Sequence, residues 1–128
     1  MEKVVTVTRI ILGTIFFVLG LNGFFTFIPV PEFHPFMEIL VDSGYIYLVK
    51  SIEVIGGLLL LTNRFVPLAL ALLLPVIVNI AAYHALLDPR NGSISLILIF
   101  FSAILLLHYK SFYKPFFSAR GHISQEEE

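Results

Sequence analysis

From Ile10 to Pro31 the chain runs without a charged residue. An apolar run of that length is about what a helix needs to cross the hydrocarbon of a bilayer, roughly 20 residues. It is too long for the apolar core of a signal peptide, and no small-x-small cleavage site follows it, so it is expected to stay as a membrane span. Composition points the same way. Of 128 residues, 58% are hydrophobic and only 13% charged, with a mean hydropathy of +0.94. A soluble domain this small buries the smallest fraction of its surface and has no room to hide so much apolar area. The solvent for most of this chain is lipid.

Four spans are expected, at about residues 4–28, 45–62, 65–87 and 93–113. The first stops at Pro29-Val30-Pro31. The third opens with Pro67 in its first turn, where proline is tolerated. The fourth is entered through the turn-forming Asp88-Pro89-Arg90-Asn91-Gly92. The second is interrupted by Lys50 and Glu53, each costing roughly 3 kcal/mol at mid-helix on the insertion scale. It remains a span only if those charges face protein or water. Between the first two spans, Pro35 opens a short helix that Gly44 ends, with Phe36, Ile39 and Leu40 on one side. Too short to span and amphipathic, it is expected at the interface. The expected fold is therefore an all-α membrane protein: a four-transmembrane-helix bundle with a short interfacial helix between helices 1 and 2. Residues 1–117 form the transmembrane domain and 118–128 a polar, acidic tail.

Basic residues set the orientation. With the N-terminus in the cytoplasm, Lys3, Arg9, Arg64, Lys110, Lys114 and Arg120 are cytoplasmic and only Arg90 is outside, a positive-inside pattern that puts both termini in the cytoplasm. A net charge of −1 gives no sign of a nucleic-acid partner. With no cysteine, thiolate catalysis, thiolate-held clusters and thiol-ligated haem are excluded. No phosphate loop, dinucleotide fingerprint, serine-nucleophile motif or zinc-ligand spacing is present. The chain does not read as a stand-alone catalyst.

The candidate site centres on the second span. Tyr47, Lys50, Glu53 and Gly57 recur at helical spacing, and Lys50 and Glu53, three apart, are placed for an intrahelical ion pair. Ionisable groups inside a membrane mark sites by default. The pair reads either as a polar site for a head group, a proton or a quinone, or as an architectural pair fixing helix rotation. Asn79 lies at roughly the level of Lys50 on a third-span face shared with Leu72, Pro75 and Tyr83. Pro75 lacks the donor for the carbonyl of Ala71 and is expected to kink the helix, opening a cavity or serving packing. Ser95, Ser102 and Tyr109 form a small polar stripe on the fourth span, suited to face the bundle. Arg9, Gly13, Phe17 and Gly20 share a face of the first span. The glycines suit close helix approach, and Arg9 either snorkels to the cytoplasmic surface or turns inward as a charge partner for Glu53.

No metal site is expected. His84 and His108 fall at opposite ends of their spans and cannot share an iron. His34, Glu38 and Asp42, four apart, read as a solvated face of the short helix.

The run Arg9-Ile-Ile-Leu-Gly13 leading to Gly20-Leu-Asn-Gly-Phe-Phe, then SIEVIGGLLLLTNRFVPLAL from Ser51, then NIAAYHALLDP from Asn79, closely resembles the bacterial DoxX family. The likeness covers about residues 8–117, and its most specific part is Glu-x-x-Gly-Gly followed by leucines and a short basic turn. Arg9, Glu53, Gly56, Gly57 and His84 occupy family-like positions. Where many relatives carry a lysine after the second glycine of helix 1, this chain has Phe24 and Phe25. The resemblance implies four transmembrane helices in the bacterial cytoplasmic (inner) membrane. It also implies an accessory or assembly role around quinol oxidase and thiosulfate–quinone oxidoreductase systems. No cofactor is evident. The leading expectation is an accessory subunit holding a lipid-like ligand or supporting a membrane complex. The alternatives are a redox-linked subunit binding a quinone at the Lys50/Glu53 level, and a proton- or solute-conducting homo-oligomer. Expected partners are the lipid bilayer and a membrane protein complex or further copies of the chain.

Overall fold

A computed structural model describes residues 2–26, 35–87 and 92–119. Within them the chain is all helical: α1 (Glu2–Phe25), α2 (Pro35–Ser43), α3 (Ile46–Thr62), α4 (Val66–Leu86) and α5 (Gly92–His108), followed by two 3-10 turns at Lys110–Phe112 and Lys114–Phe117, with no strand among the described residues. His34, Arg90, Asn91 and the tail from Arg120 lie outside them, as does the end of the first expected span.

α1 and α4 are each long and apolar enough to cross a membrane. α2 and α3 meet that description only as a pair, bent by 85° at Gly44 and Tyr45. At 17 residues, α5 is apolar but shorter. The helix in the fourth expected segment (93–113) thus ends earlier than its apolar run suggested. The chain leaves α-geometry at Tyr109 (φ −99°, ψ 17°) and continues as 3-10 turns.

The local chemistry of the breaks is plain. Gly44 takes φ +83°, open to glycine and costly for other residues, and swings the chain from α2 into α3. Asn63 closes α3 in the left-handed conformation while its N–H and that of Arg64 satisfy the carbonyls of Leu60 and Leu59. Pro67 then sits in the first turn of α4.

Packing centres on α1 and α3, which run antiparallel and touch along their length. Their closeness is a glycine effect. A Cβ on Gly57 would lie 2.6 Å from the Phe17 nitrogen and 2.8 Å from the Gly13 oxygen, and one on Gly20 would lie 2.8 Å from the Val54 nitrogen. Without side chains there, the two backbones approach directly and gain dispersion that lipid does not supply. Gly56, on the next face, receives the side chain of Leu73 from α4. Around this seam Leu12, Phe16, Leu60, Leu70, Leu73, Leu98 and Leu105 are fully enclosed. The outer surfaces are equally apolar: Ile55 and Leu58 on α3, Leu68 and Val78 on α4, Leu96, Phe100 and Leu107 on α5 are all exposed. Apolar surface on that scale marks a membrane interface rather than a water-facing one. This is a membrane protein.

Candidate functional site

Glu53 is the one acidic side chain buried among the described residues, 3% exposed. It lies mid-way along α3, on the turn before the Gly56–Gly57 pair, where close approach by α1 and α4 shuts out solvent. A carboxylate in such a place needs a cation. Lys50, one turn earlier, supplies it: Nζ donates to Glu53 Oε1 at 3.3 Å. The lysine reaches that position because Gly23 of α1 has no side chain. A Cβ there would collide with the Cγ, Cδ and Cε of Lys50. Gly23 is thus a site residue that the sequence reading missed. Its signal was present, since Gly23 follows Gly20 at a spacing that keeps both on one side of the helix.

Lys50 and Glu53 open onto a cavity of about 620 Å³ between α2, α3 and α4. Phe36, Met37 and Leu40 wall it on the α2 side, and Val49, Ile52, Val76 and Ile80 make it apolar along α3 and α4. Ile39, expected on the same side as Phe36 and Leu40, does not line the cavity. On the α4 side Asn79, Tyr83 and His84 line the cavity. Phe36 stacks on Tyr83 with centroids 6.1 Å apart, and Tyr83 meets His84 edge-on at 5.3 Å, so an aromatic contact ties α2 to α4 across one wall. Asn79 Nδ2 donates back to the Pro75 carbonyl at 2.8 Å, and α4 continues through Pro75. The amide therefore bonds back onto its own helix, one turn away at the proline.

Four of the sequence-derived candidates, Lys50, Glu53, Asn79 and Tyr83, come together here. Three others do not. Tyr47 is exposed and stacks on Phe24 of α1 with centroids 5.4 Å apart. Ser102 is buried in α5 away from the cavity, its hydroxyl lacking a hydrogen-bond partner among the described residues. Arg9 does not partner Glu53. Its guanidinium donates to the carbonyl of Leu60, and at 3.4 Å to that of Leu61. It therefore satisfies the last turn of α3, a favourable place for a cation, two turns from the carboxylate. His84 lines the cavity while His108 packs on Tyr109 beyond the other end of the bundle. Among the described residues no three His, Asp or Glu side chains converge on a metal position, and His34 lies outside them.

Chemically, the site offers a long apolar volume with one polar place. Lys50 gives one of its three donors to Glu53, leaving the pair neutral overall but rich in both donors and acceptors. Against known proteins, the family model described as DoxX matches residues 4–85. No curated protein and no solved structure matches.

Proposed function

The chain belongs to the DoxX family, and on that premise we propose that it is a small membrane accessory subunit whose α2–α3–α4 cavity holds a lipid-like ligand. One observation carries this reading: the walls are apolar over most of their extent, and the buried Lys50–Glu53 pair opens into the same volume. An amphiphile satisfies both parts at once, its chain along Val49, Ile52 and Ile80 and its head at the pair. A quinone is the second reading. It is favoured by the tyrosine and imidazole rings of Tyr83 and His84, which line the same cavity as Lys50, since a quinone offers carbonyls that can accept from an ammonium and a flat ring that can lie against aromatic faces. Organic-solvent extraction of protein purified from native membranes separates the two. Phospholipid recovered near one molecule per chain supports the first, a quinone at that ratio supports the second, and an empty extract removes both.

This reading takes all four apolar segments as spans, with α2 at the interface and both termini in the cytoplasm of a bacterial inner membrane. Two features support it. At 17 residues, α3 and α5 rise about 26 Å, close to the hydrocarbon thickness. Of the described charges, Lys3, Arg64, Lys110 and Lys114 sit at one end of the bundle, together with Glu2, while Glu38 and Asp42 sit at the other. Because the chain has no cysteine, single cysteines report topology cleanly. Asp42→Cys is expected to react with an impermeant maleimide in intact spheroplasts, and Asn63→Cys only after lysis. Reaction of Asn63→Cys from outside would rule the arrangement out.

A further inference from the structure

The end of the bundle farthest from α2 carries a surface that the ligand cavity does not involve. There the α3–α4 turn and the two 3-10 turns after α5 lie side by side, held by a hydrogen bond from Tyr113 Oη to the Pro67 carbonyl at 2.7 Å. Tyr109 and Tyr113, four apart, turn inward against the core. The residues between and after them turn outward: Lys110, Phe112, Lys114, Phe116 and Phe117 are exposed, the last two by 80% and 84%. The neighbouring turn adds Arg64 and Phe65, also exposed. Phe65 is held outward at φ 51°, a conformation that bulky side chains rarely adopt.

We propose that this surface is a docking face for anionic phospholipid head groups. Rings and cations alternate on it in the manner of interfacial segments, where aromatic side chains enter the head-group layer and lysine or arginine reaches phosphate. The charge fits one occupant. Arg64, Lys110 and Lys114 stand together with Lys3 nearby, and Glu2 is the sole described acid at that end. The opposite end presents Glu38 and Asp42, and its nearest described cation, Lys50, is committed to Glu53. An anionic leaflet is attracted to the first end and not to the second, by about fivefold for each cation next to the head groups. The Tyr113 hydrogen bond ties the segment to the α3–α4 turn, which brings its rings and charges onto the same face as Arg64 and Phe65.

The chain contains no tryptophan, so Phe117→Trp and Phe25→Trp give single fluorophores at the two ends of the full-length protein. Each is reconstituted with brominated phosphatidylglycerol or brominated phosphatidylcholine in mixed bilayers, and the ratio of their quenching constants is measured. At Phe117→Trp the anionic lipid is expected to be preferred by about fivefold or more; at Phe25→Trp the ratio stays near one. Adding Lys110→Gln and Lys114→Gln brings the first ratio toward one with helix content by circular dichroism unchanged. A salt titration to about 1 M, where screening acts within about 3 Å, does the same without touching the lysines. Equal ratios at the two ends, a preference insensitive to both salt and the lysines, or a Phe117→Trp fluorophore reached by neither lipid (the mark of a protein partner on this face) would each overturn the proposal.

Discussion

Gly57→Leu is expected to abolish the folded bundle, and even Gly57→Ala to weaken it measurably. The obstacle is backbone. A Cβ at this position would sit 2.6 Å from the Phe17 nitrogen and 2.8 Å from the Gly13 oxygen, neither of which swings aside as a side chain does. Relief requires α1 to retreat from α3 along the seam that Gly13 and Gly20 also form, forfeiting the close contact that replaces the hydrophobic drive absent in lipid. Overpacking typically costs about 1–3 kcal/mol, and the upper end is expected where nothing flexible gives way. Gly56 provides an internal comparison, because its obstacle is the enclosed Leu73 side chain rather than backbone. Unfolding in mixed micelles followed by circular dichroism should rank Gly57→Ala as more damaging than Gly56→Ala. Ile55→Leu, on the exposed face of α3, should change stability by less than about 0.5 kcal/mol. If the two glycine variants behave alike, α1 and α3 are not joined by backbone contact.

Lys50→Leu and Glu53→Leu should each destabilise the protein by about 3–5 kcal/mol, the usual consequence of leaving one member of a buried pair behind. Their order is informative. Lys50→Leu strands a carboxylate that is 3% exposed, whereas Glu53→Leu strands an amine whose side chain is 21% exposed and opens on the cavity. The lysine variant should therefore be the less stable of the two. Replacing both removes the stranded charge and should return stability close to that of the unaltered protein, since apolar substitutes for a buried pair are often neutral. A double variant as unstable as the worse single variant would mean that the pair contributes through packing alone.

The membrane class and the helical segments were legible in the sequence because both rest on local properties: apolar runs, and breaks at Gly44, Asn63 and Pro67. The Lys50–Glu53 pair was legible for the same reason, being contained in one turn of one helix. What was not legible depended on the register between helices. Arg9 meets the carbonyls of Leu60 and Leu61 only because α1 lies antiparallel along α3 at that offset, and Gly23 matters only because Lys50 falls opposite it. Tyr47 was misplaced by helical drift. Three-residue steps fall about 60° short of a full turn, so Tyr47 lies about 120° around the helix from Glu53 and finds Phe24 instead of the cavity. The participation of α2 was invisible as well, since the 85° bend that folds Phe36 and Leu40 over the site follows from one glycine torsion.

The central claim is that the Lys50–Glu53 pair anchors a bound amphiphile, and the ligand content of the Lys50→Leu, Glu53→Leu double variant tests it most directly. Unaltered and double-variant proteins are purified in parallel from native membranes, checked for equal stability and helix content, and extracted into organic solvent for mass spectrometry. The expected result is a folded double variant that has lost the lipid or quinone recovered with the unaltered chain. A folded double variant that retains the same molecule at the same ratio would contradict the account and leave the pair as a device that orients α3.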